Sequence, residues 1–367
     1  MNLKIGIVGL PNVGKSTLFN ALTKNEVDME NYPFCTIDPS VGVVTVPDTR
    51  LDNLALMAKT EKKVNAVVEF VDIAGLVKGA SKGEGMGNAF LSNIKDVDVI
   101  LHVSRIFNNS EIIHVEGRTD PLTDIQIINL ELIESDKQVL EKRKESNAKN
   151  LRGGDRDAKI IGSVLEKVEK ILNDEKFISQ FLEDFSDEEL IELKKLQFLT
   201  AKKVLYALNK DSVGENIDSQ DDSMWDDLMN YFKENNAFWV VVDGKTEQEL
   251  NEFDEEERIL YKEELGSHLD DISILIKKSY ELLGLISYFT VGVKETRAWT
   301  IKKNSTAPIA GMAIHNDFGD KFIRAEVIDA KELLVFGGKK EAKEKGKMRM
   351  EGKEYIVQDG DVIEFHI

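Results

Sequence analysis

A glycine-rich loop near the N-terminus constrains the fold of this chain more than any other feature. Residues 9–16 read GLPNVGKS, which fits the pattern G-x-x-x-x-G-K-S/T. Residues 3–8 are mostly apolar and β-branched, so they predict a buried strand, and residues 16–22 predict the first turns of a helix. The glycines let backbone N–H groups converge on an anion, and the helix N-terminus adds partial positive charge. Such a loop between a strand and a helix predicts a phosphate-binding P-loop in an α/β domain.

A second motif ends another predicted strand, residues 67–72. It reads Asp72-Ile-Ala-Gly75, a D-x-x-G sequence. At the carboxyl end of a strand, Asp72 can hold Mg²⁺ through a water, and the N–H of Gly75 can approach a γ-phosphate. In the P-loop, Lys15 is expected to reach the β- and γ-phosphates, and Ser16 is expected to ligate Mg²⁺. The two motifs predict a nucleoside triphosphate site with Mg²⁺, in which Lys15 takes part in catalysis.

Two loops of the predicted site have features of nucleotide switches. Thr36 lies in the sequence NYPFCTIDP at residues 31–39, and its hydroxyl can complete the Mg²⁺ shell when a γ-phosphate is present. The alternative is that these residues form an ordinary turn bounded by prolines. After Gly75, glycines recur through residues 79–87, which indicates a mobile loop and a candidate second switch.

The position after Gly75 is unusual for a nucleotide hydrolase of this type. Many GTPases carry a water-orienting glutamine there, whereas this chain has Leu76, whose side chain forms no hydrogen bond. Another group must therefore position the attacking water. The amide oxygen of Asn12 could help to hold K⁺ beside the phosphates. His114 is a candidate catalytic residue, although a lone histidine is more often a structural surface residue.

The base-reading motif departs from the guanine pattern. A predicted strand over residues 204–208 leads into Asn209-Lys210-Asp211-Ser212. Guanine readers use N-K-x-D, in which the Asp carboxylate accepts two hydrogen bonds from the base. Here the aspartate is one residue early, and adjacent residues of an extended segment point in different directions. Asn209 and Lys210 remain nucleotide-binding candidates, but guanine specificity is not predicted.

Composition limits the classes of partner. The 367 residues suit two or three domains, and the net charge of −19 argues against nucleic-acid binding by the whole surface. Local basic patches remain compatible with this charge. A single cysteine, Cys35, leaves no internal disulfide and fits a reducing compartment. With no signal peptide or long apolar run in the sequence, we expect a cytoplasmic protein that does not enter a membrane.

An insertion interrupts the nucleotide-binding pattern. About a hundred residues separate a predicted strand over residues 97–103 from Asn209, although a β-α-β unit needs only about 30. Apolar residues recur at three- and four-residue steps in 125–139 and 161–171, on either side of two glycines. The pattern predicts an antiparallel helical hairpin, a coiled-coil arm. Its tip is rich in cations, namely Lys142, Arg143, Lys144, Lys149, Arg152 and Arg156. The tip could contact RNA phosphates, or it could be a solvated helix surface, since acidic residues lie among the cations.

The C-terminal part changes from a helical to a β pattern. Short β-rich runs occur at 286–290, 297–302, 322–328 and 362–367. Asp359-Gly360 is predicted to form a hairpin turn. Seven cations concentrate in this part, namely Lys339, Lys340, Lys343, Lys345, Lys347, Arg349 and Lys353. They favour a binding role, for example towards RNA, over catalysis.

In combination, these motifs resemble the YchF/Obg-like ATPase family of P-loop proteins. The resemblance covers essentially the whole chain and rests on residues 9–17, 31–37, 72–80, 83–88, 289–300 and 359–361. It implies an α/β fold in which a P-loop domain contains an inserted helical coiled-coil arm and precedes a C-terminal β-grasp (TGS) domain. The predicted bounds are 1–133 with 200–281 for the nucleotide-binding domain, 134–199 for the arm and 282–367 for the TGS domain.

The resemblance also implies an activity. It implies an ATP-preferring hydrolase that binds Mg²⁺ through Ser16 and Thr36, uses His114 as catalytic candidate and associates with the ribosome, expected on its large subunit. The phosphates would be held by Asn12, Val13, Gly14, Lys15, Ser16 and Thr17. The family usually carries N-x-x-E at the base-reading site, and Ser212 departs from that pattern. Two alternatives stay open: a GTPase with a degenerate base-reading motif, and a ribosome-binding module whose nucleotide is mainly structural.

Overall fold

The computed structural model describes residues 3–23, 40–73, 86–108, 119–152, 156–211, 214–219, 223–253, 257–258, 260–261 and 271–367. The strands are β1 (Lys4–Val8), β2 (Val41–Thr45), β3 (Lys62–Val64), β4 (Val67–Asp72), β5 (Val99–Arg105), β6 (Phe107–Asn108), β7 (Lys203–Asn209), β8 (Glu215–Asn216), β9 (Phe238–Val242), β10 (Leu285–Thr290), β11 (Glu295–Lys302), β12 (Arg324–Asp329), β13 (Arg349–Glu351) and β14 (Asp361–His366).

The helices are α1 (Lys15–Thr23), α2 (Thr49–Ala58), α3 (Met86–Lys95), α4 (Pro121–Arg152), α5 (Arg156–Asn173), α6 (Asp187–Leu196), α7 (Ser223–Glu234), α8 (Gly244–Leu250), α9 (Asp271–Leu282), α10 (Ala307–Ile314), α11 (Asn316–Asp320), α12 (Ala330–Phe336) and α13 (Lys339–Glu344). In the part of the chain that the structure describes, no helix is both long enough and apolar enough to span a bilayer.

The first sheet has the order β2-β4-β1-β5-β7-β9. Only β2 is antiparallel to its neighbour, and the other five strands are parallel. All seven residues of β5 are buried, as expected for a parallel strand covered by helices on both faces. Because parallel strands end at the same edge, the segments after β1, β4, β7 and β9 meet there. The α/β architecture predicted from the P-loop is confirmed.

The inserted arm begins with α4, which packs along α5, and α5 also packs against α6. Ile128 and Leu132 of α4 and Val164 and Val168 of α5 are buried, so the periodic apolar positions do form the helix interface. The predicted hairpin is therefore confirmed. The domain bound predicted between residues 133 and 134 lies inside α4, so the arm extends a helix that starts beside the first sheet.

The second sheet has the order β13-β12-β14-β10-β11-β3. Its strands match the C-terminal β-rich runs, but the hairpin predicted at Asp359-Gly360 is wrong. β13 and β14 do not pair with each other, since each pairs with a different side of β12. Gly360 instead has a left-handed φ of 96°, and Asp359 accepts a hydrogen bond from the backbone N–H of Ser287 (2.9 Å). The β-grasp (TGS) identity of this sheet stays a prediction.

A segment of the first predicted domain completes the second sheet. Strand β3 pairs in parallel with β11, and α2 packs on the same sheet with Leu51 and Leu54 fully buried. Arg50 of α2 donates to Asp359 (2.7 Å) and to Asp48 (2.7 Å). Residues 46–64 thus contribute to both sheets. The predicted boundary between residues 281 and 282 assigned them to the nucleotide-binding domain alone.

Candidate nucleotide site

The P-loop adopts the backbone that its glycines predict. Asn12 and Gly14 both have left-handed φ angles, 63° and 95°, and α1 begins at Lys15 directly after them. A Cβ on Gly14 would lie 2.3 Å from Nδ2 of Asn209, and one on Gly9 would lie 2.5 Å from the carbonyl oxygen of Val103. Close contacts therefore require both motif glycines, and the left-handed backbone is a second reason for glycine at position 14.

Lys15 folds back over the loop. Its Nζ donates a hydrogen bond to the carbonyl oxygen of Leu10 (2.8 Å). Burial lowers the pKa of Lys15, and the nearby charge of Asp72 opposes that effect. A phosphate that entered the loop would offer this ammonium group a charged acceptor in place of a backbone carbonyl, which is a stronger hydrogen bond.

A buried histidine lies beneath the P-loop. His102 pairs in register with Val8, the last residue of β1, and packs against Tyr206 with ring centroids 5.4 Å apart. Burial and, to a smaller extent, the charge of Lys15 lower the pKa of His102 to about 3, so the ring is neutral at physiological pH. In the sequence, His102 is a single histidine within an apolar strand, a pattern that does not indicate a functional site.

The predicted Mg²⁺ ligands from the two motifs come together. The hydroxyl of Ser16 lies 3.4 Å from Oδ2 of Asp72 and donates to it. A hydroxyl and a carboxylate are hard oxygen donors, which suits Mg²⁺ bound partly through water and phosphate oxygens. Ser16 and Asp72 therefore fit this ion. Thr36, Gly75, Leu76 and His114 lie outside the described residues, as does the second candidate switch up to residue 85, whereas residues 86 and 87 begin α3.

Asn209 connects the base-reading segment to the P-loop. Its Nδ2 donates to the carbonyl oxygen of Val13 (3.0 Å), and its Oδ1 accepts from the N–H of Gly244 (3.1 Å). The side chain is only 4% exposed, so both polar ends of the amide are engaged with the protein. Asn209 therefore ties together the P-loop, the end of β7 and the start of α8.

The next residues face their own loop. Lys210 donates its backbone N–H to Val242 (2.8 Å), and Asp211 donates its backbone N–H to Oδ1 of Asn216 (2.9 Å). A Cβ on Gly214 would lie 3.2 Å from the side chain of Asp211, so this carboxylate sits against the turn that follows it. Ser212 lies outside the described residues. The sequence has Ser212 at the fourth position of the motif, where a guanine-reading N-K-x-D pattern has aspartate.

A buried arginine that no sequence motif indicates lies beside Asn209. Arg105, at the end of β5, pairs in register with Asn209 and is 2% exposed. Its guanidinium lies 4.4 Å from the ring centroid of Phe107, and its Nε donates to the carbonyl oxygen of Phe107 (2.8 Å). The sequence does not indicate this contact, because cation–π pairs occur at many different spacings and have no sequence motif.

The two basic clusters are partly neutralised. At the arm, Lys144 pairs with Glu169 (2.6 Å), whereas Lys142, Arg143 and Lys149 are exposed. The side chains of Arg152 and Arg156 lie outside the described residues. In the C-terminal part, three of the seven cations form ion pairs, namely Lys339 with Glu364, Lys343 with Glu326, and Arg349 with Glu351 and Asp361. Lys340, Lys345, Lys347 and Lys353 are exposed.

Two family models match separate regions of the chain. A family model described as a 50S ribosome-binding GTPase matches residues 4–144. A model for the C-terminal region of YchF GTPases, described as a protein of unknown function, matches residues 285–367.

Full-length relatives are also similar to this chain. The ribosome-binding ATPase YchF of Bacillus subtilis is 48% identical over 365 residues, covering 100% of this chain and 99% of the relative. The protein of the same name from Escherichia coli O157:H7 is 46% identical with the same coverage. The solved structure of the Schizosaccharomyces pombe YchF GTPase superposes with a TM-score of 0.88 at 37% identity, covering 100% of this chain and 98% of that one.

Proposed function

The chain belongs to the YchF family, and we propose that it is a ribosome-associated ATPase that binds ATP with Mg²⁺. It hydrolyses the β–γ phosphoanhydride bond slowly and acts as a nucleotide-dependent switch. The observation that carries this proposal is the convergence of Lys15, Ser16, Asp72 and Asn209 at one sheet edge. The name shared by the bacterial relatives, ribosome-binding ATPase, supports both the nucleotide and the partner.

The protein's part in the chemistry is positioning and charge stabilisation. Lys15 would leave the carbonyl of Leu10 and contact the β- and γ-phosphates, while the N–H groups from Asn12 to Thr17 surround them. Ser16 and Thr36 would bind Mg²⁺ directly and Asp72 through water. When bound, Mg²⁺ neutralises charge on the phosphate oxygens. We further propose that the N–H of Gly75 contacts the γ-phosphate.

The attacking water requires a group other than Leu76. We propose His114 for this catalytic role, and K⁺ held beside Asn12 as a second source of charge stabilisation. Replacing His114 with Ala should slow single-turnover ATP hydrolysis while leaving ATP affinity unchanged. Unchanged turnover in this variant would remove His114 from the mechanism. Equal turnover in K⁺ and in Na⁺ would show that K⁺ has no specific role in the mechanism.

The preference for ATP over GTP is supported by the name of the bacterial relatives, ribosome-binding ATPase, and by the lack of an aspartate at position 212. Both ends of the Asn209 amide are engaged with the protein, and Asp211 lies against its own turn, so neither supports a guanine clamp. The second candidate, a GTPase with a degenerate motif, is favoured by the retained Asn209-Lys210 pair and by the description of the S. pombe relative as a GTPase. The third is a ribosome-binding module with mainly structural nucleotide.

Equilibrium affinities for ATP and GTP, measured side by side with Mg²⁺ and K⁺, separate these candidates. Tighter binding of ATP supports the proposal, and far tighter binding of GTP selects the second candidate. Single-turnover hydrolysis too slow for any cellular cycle selects the third.

We propose that the arm tip and the C-terminal sheet contact the ribosome, expected on the large subunit, through RNA phosphates. This partner implies a cytoplasmic location. Cosedimentation of a Lys142→Glu/Arg143→Glu variant with ribosomes tests the arm, because both cations are exposed. A Lys233→Glu/Lys277→Glu variant is the matched control, with the same charge change at exposed positions outside the arm tip and the C-terminal sheet. Equal binding by both variants across several salt concentrations would eliminate the electrostatic role of the tip.

A further inference from the structure

A groove of about 530 Å³ lies at the end of the first sheet opposite to the P-loop. Leu3, Val99 and Lys203 line it, and they stand at the starts of β1, β5 and β7, whereas the P-loop follows the end of β1. A ligand in this groove would therefore not compete with nucleotide. Nothing in the proposed ATPase mechanism uses this part of the molecule.

The floor of the groove is apolar. Leu182, Leu190 and Leu283 pack on the main hydrophobic core from one side and remain half-buried on the other, where they line the groove. They come from three places, namely the inserted arm before α6, α6 itself and the connection after α9. The floor is thus a junction of separate parts of the fold, with apolar surface that the chain itself leaves partly uncovered.

The rim of the groove is cationic. Lys95, Lys194, Lys203 and Lys302 line it and are exposed, and none has a carboxylate within 4.0 Å among the described residues. A fifth lysine, Lys202, is held inward by its bonds to the carbonyl oxygens of Lys95 and Val97.

Two carboxylates, Asp96 and Asp98, also line the groove, so cations outnumber anions by five to two. The whole chain carries a net charge of −19, with 67 acidic and 48 basic residues. An excess of lysines without ion-pair partners on such a chain indicates a negatively charged partner.

We propose that this groove docks an acidic amphipathic helix of a partner protein. Its apolar face would cover the three leucines, and its flanking carboxylates would pair with the rim lysines. The four exposed rim lysines lie on different elements, α3, α6, β7 and β11, so a single anionic headgroup could meet only one or two of them. A helix with carboxylates on both flanks of an apolar stripe can meet cations on several sides.

A nucleic-acid backbone is the less suitable occupant. It would satisfy the lysines but leave the leucine floor uncovered, whereas a helix stripe buries it. Because the groove joins the first sheet, the arm and the second sheet, the docked helix would contact every part of the fold. This inference does not depend on the nucleotide preference or on ATP hydrolysis.

The test uses the full-length protein and a 15-residue fluorescent peptide of Leu, Ala and Glu, with leucines every three or four residues and glutamates on both flanks. Fluorescence anisotropy should show saturable binding. A Lys95→Gln/Lys194→Gln variant should bind at least tenfold more weakly. A Lys340→Gln/Lys345→Gln variant, with the same charge change at exposed positions outside the groove, should bind like the unmodified chain. A Leu190→Ser variant tests the floor and should also weaken binding.

Three outcomes would overturn the proposal. In the first, the unmodified chain does not bind the peptide, or the Lys95/Lys194 variant binds it equally well. In the second, polyglutamate without leucines competes as strongly as the peptide. That result would show that the groove binds anions without selecting an apolar helix face. In the third, oleate or anionic phosphatidylglycerol vesicles bind with the same lysine dependence while the peptide does not. ATP affinity, measured on the same variants, should stay unchanged and reports independently on folding.

Discussion

Replacing Asn209 with Ala tests whether this residue braces the P-loop or reads the base. The amide donates to Val13 (3.0 Å) and accepts from Gly244 (3.1 Å) while only 4% exposed. The substitution leaves a buried carbonyl and a buried N–H without partners, and each unpaired group costs about 1–3 kcal/mol. We therefore expect the free energy of unfolding to fall by about 2–4 kcal/mol, since water entering the vacated space offsets part of the loss.

The Asn209→Ala substitution should also lower nucleotide affinity, because the amide holds the P-loop in place. Nδ2 of Asn209 lies 2.3 Å from the position that a Cβ on Gly14 would take, so its loss removes a close contact with the backbone that would surround the phosphates. A loss of about 1.4–2.8 kcal/mol in binding corresponds to roughly 10- to 100-fold weaker affinity. Because the phosphates are common to all nucleotides, ATP and GTP should weaken by the same factor.

The assay is calorimetric titration with each nucleotide, beside urea unfolding. Asn251→Ala is a matched control, because the Nδ2 of Asn251 also donates to a backbone carbonyl of this domain, that of Ala21 (2.9 Å), at the far end of α1. It should lose stability but keep nucleotide affinity. A change in the ATP to GTP affinity ratio greater than about threefold in the Asn209 variant would show that the amide reads the base, and the brace argument would fail.

Three further substitutions follow from single contacts. Ser16→Ala should reduce ATP affinity about tenfold in Mg²⁺ but not in EDTA, as measured by calorimetry, and an equal loss in both would contradict a metal-binding role. Arg50→Ala should lower the free energy of unfolding in urea by about 1–3 kcal/mol, because it leaves Asp48 and Asp359 facing each other at the junction of the sheets, and a loss below about 0.5 kcal/mol would contradict this. Burial raises the pKa of Asp136 from 3.8 to about 6 against the opposing hydrogen bonds from Thr200 and Leu199. The folded state therefore binds the proton more tightly than the unfolded state, and the resulting stability is complete below pH 3.8 and lost as pH rises through 6. Relative to Asp136→Asn, whose amide does not titrate, the unmodified chain should lose about 2 kcal/mol of unfolding free energy between pH 4.5 and pH 7. A difference that is constant with pH would show that the three hydrogen bonds, not burial, dominate.

Much of the fold follows from local sequence patterns. The P-loop and the helical hairpin were predictable because their signals lie in neighbouring residues: glycines where the backbone turns, and apolar residues every three or four positions. The meeting of Ser16 with Asp72 was also predictable, since parallel strands end at one edge, Asp72 ends β4, and Ser16 lies just after the loop that follows β1. These features depend on chain direction and on the periodicity of apolar residues, both of which can be read from the sequence.

Other features were decided only by the tertiary structure. The sequence presents Asn209 as part of a base-reading motif, yet its amide is engaged by Val13 and Gly244, 196 and 35 residues away. The Asp359-Gly360 pair has the composition of a hairpin turn, but its Asp359 bonds to Arg50, 309 residues earlier. Strand pairing and buried polar contacts between distant segments have no spacing rule, because they depend on which surfaces the packed elements bring together. The sequence by itself therefore determined the α/β sheet and the inserted arm, and it predicted a Mg²⁺-nucleotide site at the edge of that sheet. The packing of distant segments decided which residues brace that site, how residues 46–64 join the two sheets, and where apolar and cationic surface remains for a partner.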